Sequence, residues 1–399
     1  MNARRTGAAE HLAVLDLLWP GGTRRLTRRP GRSNSLLVLP SLRSPRMLVP
    51  CSSPGAESML VRFGRSRRHL LAQQVLSRSL RSGLLPLLPV WRLTETAPRP
   101  AGAAIEEHVR AHVPQAVALG VLLGPPRANA KPVLRIFDRA GHTIAYGKVG
   151  HNPLSAALVR SETDALLEIG RRPFGAFDVP TVVHAGDWRG LEVLLLTALN
   201  GKQRGAPSWE LPLAAMYELA ERERTEPMPV RASEYLADLR ARVGGLTGNQ
   251  GLTVMLDRVA RHTADVELAF GRWHGDWAPW NMASTPGRVQ LWDWERSRAG
   301  VPLGFDIVHF ALQEQLVAHA DAATTAAALL RVGGVALGRW YAQSQQREAT
   351  VLLYLTEIVA RYVADAGLVP TSALRDRLRT IEAVYSAILG HQKESYVDA

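Results

Sequence analysis

One short motif constrains this chain more than any other feature of its sequence. The tripeptide His274-Gly275-Asp276 is followed by Asn281 five residues after the aspartate, and Asp293-Trp294-Glu295 starts twelve residues after that asparagine. A Thr-Pro-Gly turn between short alternating segments predicts a hairpin that brings Asn281 and Asp293 together. One carboxylate can then receive a hydroxyl proton, while an amide and a second carboxylate hold Mg²⁺ against phosphates. This is the set that phosphoryl transfer from a nucleotide requires.

The spacing of these residues resembles the motif of the aminoglycoside phosphotransferase/choline kinase family. Members of this family phosphorylate small molecules and are related to the protein kinases. The resemblance covers about residues 117–316. It implies that Asp276 is the catalytic base and that Asn281 and Asp293 are magnesium ligands. Glu295 would bind a second ion or stand just outside the ligands of the first.

Two further residues of the motif region receive supporting roles by the same resemblance. His274 is similar to the structural histidine of the family's loop. Gly304-Phe305-Asp306 resembles a later element of the family, in which the aspartate braces the loop. A metal-dependent hydrolase remains a rival interpretation, with His274, Asp276, Asp293 and Glu295 as ligands. That interpretation leaves Asn281 without a role.

A lysine on a strand and a glutamate on a helix are the next requirements of a kinase-like nucleotide lobe. The chain has only four lysines, and Lys148 lies in an apolar segment that follows two other predicted strands. The next helix is predicted to begin with Asn152 as its N-cap and to end at Gly170. Glu162 falls on the apolar stripe of that helix, where a carboxylate needs a partner. We expect Lys148 to be that partner, with Glu168 as the less favoured alternative.

The segment that would cover the phosphates departs from the family pattern. Residues 120–132 carry two consecutive prolines where a kinase has a glycine-rich loop. Arg127 and Asn129 could reach phosphate with their side chains, or the segment is an ordinary exposed turn. ATP is the expected nucleotide, with GTP left open, and Mg²⁺ is the expected metal.

These patterns predict an α+β, two-lobed protein-kinase-like fold. The small nucleotide-binding lobe, with an antiparallel sheet and one helix, is expected over residues 101–199. A mostly α-helical catalytic and substrate-binding lobe is expected over residues 200–399. An additional Arg-rich region of α/β character precedes them over residues 1–100.

The N-terminal hundred residues contain 17 arginines and four acidic residues, which accounts for the net charge of +12. Such a region could bind a nucleic acid, an anionic lipid or an acidic protein. We favour the simpler explanation that arginine replaces lysine throughout this chain. A single cysteine, Cys51, and the lack of a signal-peptide pattern or a membrane-spanning segment agree with a cytoplasmic protein.

The expected function is an ATP- and Mg-dependent phosphotransferase acting on a hydroxyl of a small molecule, such as a sugar, an amino alcohol or an aminoglycoside-like compound. Five of the ten tryptophans lie between Trp273 and Trp294. Trp277 is the one that we consider for substrate contact, with packing under the loop as its alternative role. The alternative function is a catalytically idle kinase-like binding module whose basic N-terminal region recruits a partner.

Overall fold

The structure is a computed structural model of the chain, and it describes residues 13–20, 24–29, 35–51, 53–60, 67–95, 104–124, 129–199, 210–246, 250–368 and 372–395. The chain divides into two compact units. The first comprises Met1–Leu167 and Pro180–Leu199, and the second comprises Glu168–Val179 and Asn200–Ala399. The first is built on an antiparallel sheet and the second is mainly helical, so the predicted α+β class is confirmed.

Nine strands form one antiparallel sheet in the first unit, in the order β1-β4-β2-β3-β5-β6-β7-β10-β9. The strands are β1 (Arg24–Thr27), β2 (Ser35–Ser41), β3 (Ser44–Pro50), β4 (Arg92–Glu95), β5 (Ala118–Leu122), β6 (Val133–Phe137), β7 (Thr143–Gly150), β9 (Val182–Trp188) and β10 (Leu191–Thr197). Three helices are α1 (Arg67–Arg81), α2 (Ile105–His112) and α3 (Pro153–Ile169). A further helical segment covers residues 13–18.

The Arg-rich region contributes β1 to β4 to this sheet. Leu48 of β3 pairs with Val121 of β5, so the first four strands continue the strands that follow. In β2, Leu36 and Leu37 belong to two different apolar clusters. Because successive side chains of a strand point to opposite faces, this part of the sheet is covered on both sides. The division of the chain at residue 100 stays a prediction.

The second unit contains three small sheets and seven helices among the described residues. Its strands are β8 (Phe177–Asp178), β11 (Met228–Pro229), β12 (Glu267–Leu268), β13 (Phe270–Trp273), β14 (Met282–Thr285), β15 (Arg288–Leu291) and β16 (Arg298–Pro302). Its helices are α4 (Glu210–Glu221), α5 (Glu234–Gly244), α6 (Gln250–Thr263), α7 (Phe305–Ala318), α8 (Ala322–Ala336), α9 (Ser344–Leu368) and α10 (Ser372–Ser395).

The first part of helix α7, which begins close to the motif in space, is buried on all sides. All nine residues from Phe305 to Gln313 are buried, polar ones included. A helix that is buried all round must satisfy its polar side chains internally. The three polar residues Asp306, His309 and Gln313 therefore require partners in the surrounding structure. No helix in the described ranges combines enough length with enough apolar sequence to span a lipid bilayer.

Candidate active site

Lys148 and Glu162 form a buried ion pair within the first unit. Lys148 lies on β7, which is hydrogen-bonded between β6 and β10. Its Nζ donates to Oε1 and Oε2 of Glu162 on α3, each at 2.6 Å. The two side chains are 11% and 0% exposed. Charges this deeply buried persist only when they are paired and hydrogen-bonded. The partner that we expected for Lys148 is the one the structure shows.

The start of α3 holds this pair in position. Asn152 Oδ1 accepts a hydrogen bond from the amide of Ser155 at 2.8 Å, which is the predicted N-cap interaction. Gly150 ends β7 directly before the helix. A Cβ at Gly150 would lie 2.5 Å from Cα of Ala156. Only glycine permits so close an approach of the strand end to the first turn of α3.

The other predicted groups of the nucleotide lobe are less informative. Arg127 lies outside the residues that the structure describes. Asn129 lies in a turn before β6 and is half-buried. Glu168, the alternative partner for Lys148, belongs to the second unit and pairs there with Arg272. The distance between Arg272 Nη2 and Glu168 Oε2 is 2.6 Å. Glu162 is thus the only one of the two glutamates that the structure pairs with Lys148.

The His-Gly-Asp tripeptide follows β13, and its backbone requires glycine. Gly275 has a φ of +83°. A Cβ there would lie 2.3 Å from the carbonyl oxygen of Arg296. Both the left-handed backbone and the close approach exclude a side chain at this position. The loop can therefore turn tightly against the segment that follows the hairpin.

His274 joins the two ends of the loop through both of its ring nitrogens. Its Nδ1 accepts a hydrogen bond from the amide of Asp276 at 3.2 Å, so the ring proton lies on Nε2. Nε2 donates to the carbonyl oxygen of Trp292 at 3.1 Å. Burial lowers the pKa of His274 to about 4 despite the carboxylates of Asp276 and Asp293 nearby. The ring is therefore neutral at physiological pH, and neither nitrogen is left for a metal ion.

This result disfavours the metal-dependent hydrolase. That interpretation needed His274 as a ligand, and a ring nitrogen can coordinate a metal only if it is not already donating or accepting elsewhere. His274 is 0% exposed. Its position under the loop leaves the oxygen groups of Asp276, Asn281, Asp293 and Glu295 as the candidate ligands of the second unit.

The carboxylate of Asp306 anchors the His-Gly-Asp loop through two backbone amides. Its Oδ2 accepts from the amide of His274 at 2.7 Å, and its Oδ1 accepts from the amide of Gly275 at 3.0 Å. Asp306 is the second residue of α7, whose N-cap is Gly304 with a φ of +97°. Burial raises the pKa of Asp306 to about 7, while the two donated amide hydrogens pull it down. Two amides aimed at one carboxylate fix the course of the loop.

Asp276 and Asn281 are joined at the base of the hairpin. Asn281 Nδ2 donates to Oδ2 and to the backbone oxygen of Asp276, each at 2.9 Å. Strands β14 and β15 pair Met282 with Leu291, and the amide of Trp292 donates to the carbonyl oxygen of Asn281 at 3.1 Å. The predicted hairpin thus carries Asn281 and Asp293 to the same end.

Asp293 has an unusual backbone. Its φ is +73°, in the left-handed region that few residues other than glycine adopt, although aspartate does so more often than most. Strain of this kind persists where the surrounding structure enforces it, and it is concentrated at functional sites. Asp293 and Glu295 are both half-buried, with the fully buried Trp294 between them.

His309 is a residue of this site that sequence reasoning missed. Its Nε2 lies 3.4 Å from Oδ1 of Asp276, and its Nδ1 lies 2.9 Å from the hydroxyl of Tyr354. Burial raises the pKa of Tyr354 well above its ordinary value, so the hydroxyl keeps its proton and can donate to Nδ1. The neutral ring then turns its N–H towards Asp276. His309 stands three residues after Asp306 on α7, and this helical spacing was the available signal.

The electrostatic environment keeps Asp276 ionised. Burial alone would raise the pKa of Asp276, and the charge of Asp293 acts in the same direction. The contact with His309 and the positive charge of Arg361 outweigh both, so the pKa lies below its ordinary value. An ionised carboxylate is the form that can accept a proton or orient a hydroxyl group.

The tryptophans of this region divide into buried and exposed groups. Trp277 is 0% exposed and packs near Phe177 and His274, with ring centroids 6.0 and 5.9 Å apart. Of the two roles considered for Trp277, packing under the loop agrees with this burial. Trp280 is 45% exposed and lies in the short 3₁₀ turn Pro279–Asn281. It is the accessible indole of the loop.

A cavity of about 370 Å³ lies beside the loop within the second unit. Trp273 and Arg296 border it, and its remaining charged lining residues are Arg242, Arg298, Glu357, Arg361 and Asp365. Glu357 accepts from Arg242 and Arg298 at 2.7 and 2.9 Å. Four arginines against two carboxylates give this lining a net positive charge.

No protein-family model and no curated protein matches the sequence. Solved structures do match. A thermostable mutant of aminoglycoside phosphotransferase APH(4)-Ia, in a ternary complex with ADP and hygromycin B, has 14% identity and a TM-score of 0.48 over 71% of this chain and 98% of that chain. A putative fructosamine-3-kinase from Haemophilus somnus has 14% identity and a TM-score of 0.42 over 70% and 96%. A choline/ethanolamine kinase family protein from Mesorhizobium loti has 15% identity and a TM-score of 0.41 over 71% and 97%.

These solved structures are of the kinds that the motif resembles. Identities of 14–15% and TM-scores below 0.5 describe likeness of fold only. The activity proposed below therefore rests on the residues and distances of this chain.

Proposed function

We propose that this chain is a phosphotransferase that moves the γ-phosphoryl group of a magnesium-bound nucleotide to a hydroxyl of a small molecule. The observation that carries the proposal is the geometry of the loop in the second unit. An ionised Asp276 is hydrogen-bonded to Asn281 at 2.9 Å, and the hairpin that starts at Asn281 ends at a strained Asp293.

The carboxylate and amide oxygens suit magnesium. Asn281 uses its Nδ2 for Asp276, so its Oδ1 is the atom left for an ion. Asp293 supplies a second oxygen, and Glu295 a third or a group that acts through water. Mg²⁺ prefers oxygen ligands and is commonly held by one or two protein groups together with the phosphates of a nucleotide. When bound, it would neutralise the charge that develops on the transferred group.

Lys148 and Glu162 supply the groups of the first unit. A lysine ammonium held by two bonds of 2.6 Å to a buried carboxylate is fixed in direction. Such a lysine would hold the α- and β-phosphates. Arg127 and Asn129 would contribute further phosphate contacts from the proline-containing segment. ATP is the expected donor and GTP the alternative.

The chemical step balances as a direct transfer. The acceptor oxygen bonds to the γ-phosphorus while the bond between this phosphorus and the bridging oxygen breaks, and a nucleoside diphosphate leaves. The acceptor's proton passes to a carboxylate oxygen of Asp276. His309, 3.4 Å away on Oδ1, orients that carboxylate.

The charge beside the loop bears on the class of acceptor. None of the residues proposed for the chemistry lines the cavity beside Trp273, so this argument holds for an acceptor that enters through that cavity. Its lining of four arginines and two carboxylates does not suit a polycation. A neutral or anionic acceptor, such as a sugar or a hydroxy acid, agrees better with this lining than an aminoglycoside does. An amino alcohol remains an intermediate case because it carries a single positive charge.

The test is a calorimetric titration of ATP, and then GTP, with and without Mg²⁺. We expect magnesium-dependent binding to the wild-type chain and its loss in Asp293→Ala. Asp257→Ala is the matched control, because Asp257 is an exposed aspartate on α6 of the same unit. Magnesium-dependent binding that Asp293→Ala retains would overturn the metal assignment. If neither nucleotide binds the wild type, the proposed phosphotransferase is overturned.

A further inference from the structure

Three histidines meet in the first unit, away from the residues assigned above. His108 and His112 lie four residues apart on α2 and therefore share one face of that helix. His184 lies on β9, the edge strand of the nine-stranded sheet. The ring centroids are 4.8 Å apart for His108 and His112, 5.0 Å for His108 and His184, and 3.6 Å for His112 and His184. A helix and a strand thus each present imidazoles to one point.

The nitrogens of this cluster have the arrangement of a ligand set. One nitrogen from each ring lies within 4.8 Å of the others. Nε2 of His108 and Nε2 of His184 are buried and have no hydrogen-bond partner among the described residues. Buried polar atoms in folded proteins are nearly always paired. Two orphaned nitrogens in one cluster therefore call for a bound group.

His112 shows how its own ring would be oriented. Its Nδ1 lies 3.3 Å from the carbonyl oxygen of His108, one helical turn earlier. Metal-binding histidines commonly donate one ring N–H to a backbone carbonyl, which directs the other nitrogen to the ion. This contact leaves Nε2 of His112 as the ligand atom.

The protonation state also agrees with ligation. Burial, together with the smaller effect of the neighbouring rings of His184 and His112, lowers the pKa of His108 to about 4. Burial also lowers the pKa of His184, with His112 acting in the same direction. Neutral imidazole is the form that coordinates a metal, and these rings do not need to lose a proton at physiological pH.

We propose that His108, His112 and His184 form a binding site for a divalent transition-metal ion, with zinc as the ion that suits it. Three imidazoles and one open position for water are a common zinc environment. Zinc–nitrogen bonds of about 2.0–2.1 Å place ligand nitrogens roughly 3.3 Å apart. The rings of His112 and His184 would rotate apart when the ion enters. The ion would clamp α2 to the edge strand β9.

This proposal is independent of the proposed phosphotransferase, since none of the three histidines belongs to that site. The experiment is a zinc titration of the full chain after removal of metals with a chelator, followed by calorimetry. We expect one zinc ion per chain at the cluster, and an affinity at least about 100-fold weaker in His184→Gln and in His112→Gln. His142→Gln is the matched control, because His142 is an exposed histidine of the same unit.

A second variant separates this site from the predicted magnesium site. Asp293→Ala should keep the zinc affinity of the wild type. Cobalt substitution gives a readout that does not depend on affinity, since four-coordinate Co²⁺ has strong visible absorption bands. We expect these bands in the wild type and in Asp293→Ala, and their loss in His184→Gln. Equal zinc affinity in wild type and His184→Gln would overturn the proposal, as would the absence of zinc binding to a folded wild-type chain.

Discussion

The histidines of the two units differ in how their ring nitrogens are used. In the second unit, His274 uses both nitrogens for hydrogen bonds within the loop. His309 pairs its Nδ1 with Tyr354, and its Nε2 lies 3.4 Å from a carboxylate oxygen of Asp276 without a hydrogen bond to it. In the first unit, Nε2 of His108 and of His184 are buried without a described partner, and they lie in one cluster with His112. A histidine with both nitrogens paired is part of the scaffold, whereas orphaned nitrogens of several imidazoles that meet at one point are candidate ligands.

The strongest test of the loop replaces the carboxylate at its centre. Asp276→Asn keeps an oxygen that can accept from Asn281, so the hairpin should hold its shape. The amide cannot accept the acceptor's proton, and turnover should fall by about 10²–10⁴-fold. The affinity for the nucleotide should change by less than about twofold, which is far smaller than the loss of turnover. Kinetics and calorimetry on the same preparation check both statements, and a variant as active as the wild type would remove Asp276 from its role.

The next largest effect is a loss of stability, and it should follow from removing the imidazole of His274, whose two nitrogens are both hydrogen-bonded. His274→Ala leaves the carbonyl of Trp292 and the amide of Asp276 without their partner and opens a cavity. We expect the free energy of unfolding to fall by about 3 kcal/mol. Urea unfolding measures this. The exposed His142→Ala serves as the control and should stay within about 0.5 kcal/mol of the wild type.

Replacing His309, which contacts Asp276, should reduce turnover less than Asp276→Asn does. His309→Gln removes the ring that faces Asp276, and we expect turnover to fall roughly 10-fold with nucleotide affinity unchanged. Tyr354→Phe removes only the donor to Nδ1 and should have a smaller effect in the same direction. Steady-state kinetics of the two variants decide the matter. If Tyr354→Phe proves the more damaging of the two, the ring of His309 does not act on Asp276.

The smallest effect is expected at the cluster. In the metal-free protein, His184→Gln removes an imidazole with an orphaned nitrogen, so little stabilisation is lost. The free energy of unfolding should stay within about 0.5 kcal/mol of the wild type. Urea unfolding in the presence of a chelator measures it beside His274→Ala. If His184→Gln lowers the free energy of unfolding as much as His274→Ala does, the nitrogens of His184 are not orphaned in the metal-free protein.

The sequence predicted the local parts of this molecule well. Asn152 capped the helix where its pattern placed it, and the apolar stripe led from Glu162 to Lys148. The hairpin of β14 and β15 followed from its turn residues. These features depend on neighbours along the chain or on one helical period, and such signals are visible in a single sequence.

Other features depended on contacts between distant segments. The positive φ of Asp293 was not predicted, because aspartate adopts this backbone more often than most residues but still only in a minority of its positions. His309 becomes significant only because α7 packs under the loop. The spacing of His108 and His112 was visible, but His184 joins them through the fold of the sheet. Such pairings arise from tertiary packing, which periodicity and motif spacing do not encode.

The pairing of β3 with β5 has a practical consequence for anyone who wants to produce the kinase-like part alone. A chain shortened to begin at residue 104 would lose β1 to β4 and leave β5 as an open edge. Leu119, Val121 and Leu134 would also lose the apolar side chains of Leu36 and Leu48 from their shared cluster. An uncovered edge strand beside an exposed apolar surface invites aggregation. The shortened protein should therefore aggregate more readily than the 399-residue chain does.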